Sequence, residues 1–298
     1  MRALRRIIVI GLLAVFAVSA GADCIRVATW NVENYLPVNR RVDGVFRPDY
    51  PKPENEKQAL REVIRSINAD VLALQEMGPM PFLKELQEDL ASEGLDYPYV
   101  VLMEAADPAR HVAVLSRLPW EEVIAHDDLD FPYLGERFAV KRGLLEIVFR
   151  APDGELWHLF VVHLKSRWTE HAEDPQAVDR RTREAQAARD RIRSRLPPQT
   201  NPRYLVCGDL NDTRDSAAVR RFLQVGGTPL TLLLPAADDR GHAWTHHFAR
   251  QDSYQRIDYI LPSPAMAEKL GPGGIVVESD PKVEIASDHR PLYADFCW

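Results

Sequence analysis

A series of apolar, strand-like runs in this chain each end in a carboxylate, an amide or an imidazole. Residues 25–31 end in Thr29-Trp30-Asn31, residues 71–76 in Leu74-Gln75-Glu76, and residues 159–163 in Val161-Val162-His163. Residues 204–211 close on Gly208-Asp209-Leu210-Asn211, and two further cases are Arg256-Ile257-Asp258-Tyr259 and Ser287-Asp288-His289-Arg290. A core strand gains nothing from a terminal charge, because burying an unpaired charge is costly. The repetition predicts that strand ends converge on one polar site. Oxygen ligands accompanied by His are the chemistry of a hard divalent cation and a phosphate ester.

The period of the runs gives the direction of these side chains. In a strand, every second residue shares a face. Ile25, Val27, Thr29 and Asn31 fall together, as do Leu72, Leu74 and Glu76. So do Trp157, Leu159, Val161 and His163, and likewise Leu205, Cys207, Asp209 and Asn211. In each set the polar group continues the presumed inward face past the end of the core. Further strands are predicted over 112–118, 143–149, 256–261 and 291–296. Helical periodicity covers 56–68, 81–91, 174–196 and 215–224. Asp174 is the expected N-cap of the third helix, with Pro175 at its first position and Pro197-Pro198 as a stop. Strands mixed with helices, without a regular βαβ repeat, favour an α+β layered fold over a doubly wound parallel sheet. Residues 33–55 and 234–253 read as long irregular loops flanking the motifs, and such loops tend to be functional.

Residues 1–22 read as a secretory signal: Arg2, Arg5 and Arg6 precede an apolar run, and Ala20-Gly21-Ala22 resembles a cleavage site. The alternative is an uncleaved signal anchor, for which the run is short. Asp23 before Cys24 does not fit a lipoprotein site. Cleavage removes three arginines and moves the formal net charge from −7 to −10. An acidic chain does not coat nucleic acid non-specifically, although nucleic acid can still be its substrate. Residues 23–298, with no Gly/Ser-rich linker or internal repeat, favour one domain. A secreted or periplasmic location is expected, without stable membrane insertion after cleavage, and a monomer is favoured. If the first and last strands are antiparallel neighbours, Cys24 meets Cys297 and a disulfide would join the termini, leaving Cys207 a buried thiol. Three unpaired thiols are the other reading.

Taken singly the motifs are weak. Gly-Asp-Leu-Asn also fits an Asx turn, and a lone His is usually a surface residue. Asp258, inside an apolar strand, is sharper because it must have a partner, which His289 could supply. In order, Thr-Trp-Asn-Val-Glu-Asn (29–34), Leu-Gln-Glu (74–76), His-Leu-Lys-Ser (163–166), Gly-Asp-Leu-Asn (208–211), Arg-Ile-Asp-Tyr-Ile-Leu (256–261) and Ser-Asp-His-Arg-Pro-Leu (287–292) resemble the endonuclease/exonuclease/phosphatase superfamily.

The resemblance implies a four-layered α/β sandwich, two mixed β-sheets face to face with helices outside. It also implies Mg²⁺- or Mn²⁺-dependent hydrolysis of a phosphate ester by an in-line water. Glu76, Asn31 and Asp288 match metal-site positions. Asp209 matches the acid that serves the water or leaving group, and Asn211 the amide on the scissile phosphate. His289 matches the essential His and Asp258 the acid orienting it. His163 matches a second His of the DNase I-like and sphingomyelinase-like branches. Arg142 resembles a phosphate-contacting Arg, and Lys165 and Arg167 could reach outer phosphates. His242, His246 and His247 lack the spacing of a zinc site.

The expected activity is a phosphodiesterase, in the first instance a nuclease acting on DNA or RNA. A phosphatase or phospholipase C-like hydrolase is the alternative, although no aromatic hairpin of a bilayer-inserting kind is evident. A catalytically inactive binding protein on the same fold is the third reading, disfavoured because every matched position is filled.

Overall fold

The computed structural model describes residues 23–298, so the expected signal at 1–22 lies outside the described residues. The strands are β1 (Cys24–Tyr35), β2 (Val38–Val42), β3 (Val45–Tyr50), β4 (Val71–Met77), β5 (Tyr99–Met103), β6 (His111–Ser116) and β7 (Trp120–His126). There follow β8 (Asp130–Tyr133), β9 (Glu136–Ala139), β10 (Leu144–Arg150), β11 (Leu156–His163), β12 (Tyr204–Asp209), β13 (Gln224–Val225) and β14 (Thr228–Pro229). The last are β15 (Ala236–Ala237), β16 (His246–Phe248), β17 (Ser253–Gln255), β18 (Asp258–Pro262), β19 (Leu270–Val277) and β20 (Leu292–Cys297). The helices are α1 (Glu54–Ile67), α2 (Met80–Ser92), α3 (Val178–Arg195), α4 (Ala217–Leu223), α5 (Pro264–Ala267) and α6 (Val283–Ala286).

Side-chain alternation sorts these elements into layers. A seven-stranded sheet runs β15-β19-β20-β1-β4-β6-β5, and a five-stranded sheet runs β18-β12-β11-β10-β7. Val27, Val71 and Val114 of the larger sheet meet Ile147, Leu159 and Leu205 of the smaller one. Trp30, Leu72 and Leu74 point the other way, under Leu60 and Ile64 of α1 and Leu83 and Leu86 of α2. Phe160 and Val206 leave the far side of the smaller sheet and pack under Ala188 and Ile192 of α3 and Phe222 of α4. The result is the expected sandwich of helices, sheet, sheet and helices. Each fully buried Leu, Ile or Val side chain contributes roughly 1.5–3 kcal/mol. The parallel pairs β1–β4 and β11–β12 carry Asn31, Glu76, His163 and Asp209 to one rim.

Three local expectations change. The third helix starts at Val178 after a 3₁₀ turn over Pro175–Ala177, because Gln176 and Ala177 take left-handed φ of 68° and 51°. Asp174 still serves the helix start: its carboxylate accepts from Asp179 and Arg180 N–H, both at 3.0 Å. The stretch 33–55 is not wholly irregular, since β2 and β3 form a hairpin. Its turn, Asp43-Gly44, has φ of 52° and 77°, the conformation a tight hairpin demands. Val45 and Phe46 at that tip are 55% and 59% exposed, an apolar hairpin tip not evident in the sequence.

Under the outer face of the smaller sheet lies a buried ionic cluster. Glu146 is fully buried and accepts from His126 Nε2 and His158 Nδ1, both at 2.8 Å, and from Arg195 Nε at 3.1 Å. Burial pushes its carboxyl up, but those hydrogen bonds outweigh burial and hold it well below the usual range. The termini are joined as the strand register allows: Cys24 and Cys297 are Cα partners across β1 and β20, and their S–S distance is 2.01 Å. Cys207 is a free, buried thiol.

Two stability predictions follow from these contacts. Replacing Cys24 and Cys297 by Ser removes a cross-link between residues 273 apart, and unfolding free energy falls by about 2–4 kcal/mol. Identical denaturant midpoints for the two proteins would refute this. Glu146→Gln costs about 1–3 kcal/mol near neutral pH, because a neutral amide offers a single acceptor oxygen to the His126 and His158 ring N–H groups and the Arg195 guanidinium. The depressed folded value means that the unfolded chain binds more protons. The Glu146 contribution is therefore complete above its ordinary value of 4.5 and fades as pH falls below it. Unfolding curves at pH 7 and pH 3 check this, and a gap independent of pH overturns it.

Candidate active site

Asp209 ends β12 with 1% exposure, in line with the inward residues Leu205 and Cys207. A carboxylate so placed must be satisfied by neighbours. Asn31 Nδ2, from the other sheet, donates to its Oδ2 at 3.0 Å. Asn211 donates its backbone N–H to Oδ1 at 2.7 Å and its Nδ2 to Oδ2 at 3.0 Å. That double contact requires the left-handed turn at Asn211, φ 53°, which Asn tolerates. Burial, then the Asp258 charge, push the Asp209 carboxyl up to about 7 against these hydrogen bonds.

Two imidazoles face the same carboxylate oxygen. His163 Nε2 lies 3.5 Å from Asp209 Oδ2, and His289 Nε2 lies 4.0 Å from it. Both rings are nearly inaccessible, at 2% and 6% exposure, yet they titrate in opposite directions. For His163, burial lowers the pKa, and the cationic neighbours Arg142, His289, Arg110 and Lys141 lower it further, so the ring is neutral. For His289, burial also lowers it, but the carboxylates of Asp258, Asp209 and Asp288 outweigh burial and raise it well above 6.5. His289 Nδ1 is 2.9 Å from Asp258 Oδ2, which fixes the ring. Asp258 is itself anchored: Thr245 Oγ1 accepts from the N–H groups of Ile257 and Asp258 at 3.0 and 3.1 Å.

Glu76 reaches the site by a different route from the one that alternation predicts. Leu72 and Leu74 face the helices, while Gln75 lies on the inter-sheet side and donates to Thr29 Oγ1 at 3.0 Å. Simple alternation would send Glu76 towards the helices. A left-handed φ of 61° at Glu76, and the register shift of β4 against β6, turn it back to the rim. There its Oε2 accepts from Asn34 N–H at 3.0 Å, and its Oε1 is 3.4 Å from Asn31 Nδ2 and 4.0 Å from His163 Nε2. Asp288 completes the cluster: its Oδ1 is 3.9 Å from His289 Nε2 and its Oδ2 is 3.5 Å from His246 Nε2.

The donor set suits a hard cation. Glu76, Asp288 and Asp209 offer carboxylate oxygens, the ligands Mg²⁺ and Mn²⁺ favour. Asn31 Oδ1 accepts from Glu33 N–H at 3.0 Å and keeps a second lone pair, while its Nδ2 faces Glu76 and Asp209. Two other acidic groups with metal-like spacing, His246–Asp288–His289 and Asp209–Asp258–His289, share His289. A protonated His289, tied to Asp258, repels a cation, which leaves the carboxylates as the oxygen donors of the cluster.

Other sequence candidates lie near but serve differently. Arg142 is 6% exposed with its Nε 3.1 Å from Asp107 Oδ2, and its charge depresses His163. Lys165 commits its ammonium to Ser166 O at 3.1 Å, Ser166 Oγ at 3.3 Å and Trp168 O. It holds the turn after His163 rather than presenting a free cation. Burial, then Arg142, lower it to about 8. Sequence reading did not give a role to Arg110, whose Nε is 2.8 Å from Asn34 Oδ1 and 3.8 Å from Glu76 Oε2. Nor did it place Glu33, pushed up to about 7 by burial and Asp288. His246, whose ring lies 4.5 Å from that of His289, was signalled only by the His-rich stretch around it.

A four-layered sandwich with this polar rim has the architecture of the DNase I-like hydrolases. The chain belongs to the Endonuclease/Exonuclease/phosphatase family, whose model matches residues 28–289. No curated protein matches it by sequence. Among solved structures, it is similar to sphingomyelinase C from Streptomyces griseocarneus, at 18% identity and a TM-score of 0.60, covering 92% of this chain and 99% of that one. The human Nocturnin catalytic domain with bound sulfate matches at 16% identity and a TM-score of 0.62, covering 92% and 94%. An endonuclease/exonuclease/phosphatase from Bacteroides vulgatus matches at 13% identity and a TM-score of 0.63, covering 92% and 98%. At such identities the likeness is one of fold, and family membership supports hydrolysis of phosphoesters.

Asp258→Asn removes the charge that holds His289 cationic, so the His289 pKa falls below its native value while burial persists. An imidazole NMR titration of both proteins reads this directly. An unmoved His289 resonance would contradict the assigned pairing.

Proposed function

We propose that the chain is a divalent-cation-dependent phosphodiesterase acting outside the cytosol, with nucleic acid as substrate. The observation that carries the reading is the pair of opposed imidazoles on Asp209. A cationic His289 and a neutral His163 flank one carboxylate whose affinity for a proton is near neutrality. His289, together with the amide of Asn211, suits the anionic oxygens of a phosphate ester. Asp209 is buried beside them and is poised to orient a water or to hand a proton to a departing oxygen. Glu76 and Asp288, with Asn31 Oδ1, would hold Mg²⁺ or Mn²⁺, which supplies charge stabilisation at the phosphoryl oxygen. A location outside the cytosol is supported by the leader-like residues 1–22 and by the Cys24–Cys297 disulfide, which needs an oxidising compartment.

One observation favours a second reading. The β2–β3 hairpin exposes Val45 and Phe46 at its tip beside Arg41 and Arg47, which suits contact with an anionic lipid surface. A lipid headgroup diester is then the substrate.

The protein lacking residues 1–22 is assayed with Mg²⁺ or Mn²⁺ on single-stranded DNA, RNA, bis-p-nitrophenyl phosphate, p-nitrophenyl phosphate and vesicles of sphingomyelin mixed with phosphatidylserine. The expected result is diester cleavage lost on chelation and reduced about 10²–10⁴-fold in His289→Ala. Turnover of the monoester alone would overturn the phosphodiesterase reading, and turnover of vesicles alone would transfer it to lipid.

A further inference from the structure

Beyond the reacting cluster the rim opens into a groove of about 620 Å³, reached past Asn211, His246 and Asp288. Two aromatic rings stand in it. Trp168 is 68% exposed and Phe248 is 40% exposed, whereas Trp30 and Trp157 of the same chain are buried. Large exposed rings beside a site mark a contact surface.

These rings are held in place. The Lys165 ammonium lies 5.6 Å from the Trp168 ring centroid and donates to the Trp168 carbonyl. Arg167 Nη2 donates to Gln255 Oε1 at 2.6 Å, tying the Trp168 loop to β17. On the other side, Phe248 stacks on His246 with centroids 6.3 Å apart and planes 21° apart. His246 in turn lies 4.5 Å from His289. A row of flat rings therefore leads outward from the reacting histidine. Gln176, Gln255, Arg167 and Arg250 also line the groove. Ring faces, amides and cations together match the face of a base, its edge and its flanking phosphates.

We propose that this groove is a nucleobase subsite for a nucleotide flanking the scissile phosphate, with Trp168 and Phe248 as stacking faces. Because a base must leave its helix to stack there, single-stranded nucleic acid is the preferred substrate class. The inference rests on the nucleic-acid reading above and makes a separate claim about these side chains.

The test compares a single-stranded decamer with an abasic decamer of the same length and backbone. Binding is read under chelation by the fluorescence anisotropy of a 5′-labelled decamer, with tryptophan quenching followed in the unsubstituted protein, and cleavage is read after Mg²⁺ addition. The base-bearing strand is expected to quench fluorescence and to bind about 10- to 100-fold more tightly than the abasic one. Trp168→Phe keeps that preference, since a ring remains, and Trp168→Ala and Phe248→Ala each reduce it. Ile285→Ala, an exposed apolar truncation on α6, leaves it unchanged. Matching thermal midpoints confirm that the variants are folded. Equal binding of the two decamers, or a preference surviving the double Trp168→Ala/Phe248→Ala variant, overturns the subsite. Quenching by phosphatidylcholine vesicles instead of either decamer also overturns it. Preference without any cleavage keeps the subsite and removes the nuclease reading. Cleavage without preference removes the subsite alone.

Discussion

The hydrogen bond from Asn31 to Asp209 joins the two sheets at the rim, and the site is organised around it. One partner ends an inward face of the larger sheet and the other ends an inward face of the smaller sheet. Asp209 is almost wholly removed from water, so each amide around it replaces solvation that the carboxylate has lost. Losing one would leave a buried acceptor unsatisfied, at a cost of about 1–3 kcal/mol or more for a charged group. That penalty fixes how β1 and β12 sit against each other. It also fixes the turn at Asn211, whose side chain bridges Asp209 and the Leu164 carbonyl at 3.0 Å.

Once Asp209 is fixed, the two histidines become chemically distinct without differing in burial. Desolvation alone lowers the pKa of both rings. Around His163 the neighbouring charges are cationic, and they add to desolvation. Around His289 the neighbours are carboxylates, and the 2.9 Å contact with Asp258 is close enough to reverse it. The sign of the surroundings, rather than depth, decides which imidazole carries a proton. A site with one cationic and one neutral ring can bind an anion and still exchange a proton at the same carboxylate.

The inward placement of Asn31, His163 and Asp209 was legible in the sequence because each continues a strict two-residue period already set by the core, and Asp258 was legible because a carboxylate inside an apolar strand needs a partner. Glu76 was legible as a site residue by motif but not by direction. Its orientation comes from a single left-handed backbone angle that no side-chain pattern reports. The hairpin of residues 38–50 was hidden for a related reason: its strands are mostly exposed, so no apolar period marks them. Trp168 was invisible as a surface feature, because a Trp after a core strand looks the same in sequence whether it folds inward or outward. The pairing of Cys24 with Cys297 was legible only on the condition that the first and last strands are antiparallel neighbours, which their register satisfies.

The strands fix the chemistry, while the loops after β11 and around β16 shape the groove, and the two are not mechanically independent. β16 forms an isolated antiparallel bridge between His246 and His289. His247 N–H donates to Asp288 O at 3.1 Å, and Arg290 N–H donates to Thr245 O at 2.6 Å. Thr245 also holds the backbone of Asp258, the residue that orients His289. The segment that bears Phe248 is therefore hydrogen-bonded along both sides of the reacting histidine. Displacing that segment would shift His289 against Asp258 and Asp209 together, because one set of backbone hydrogen bonds holds both the groove wall and the histidine.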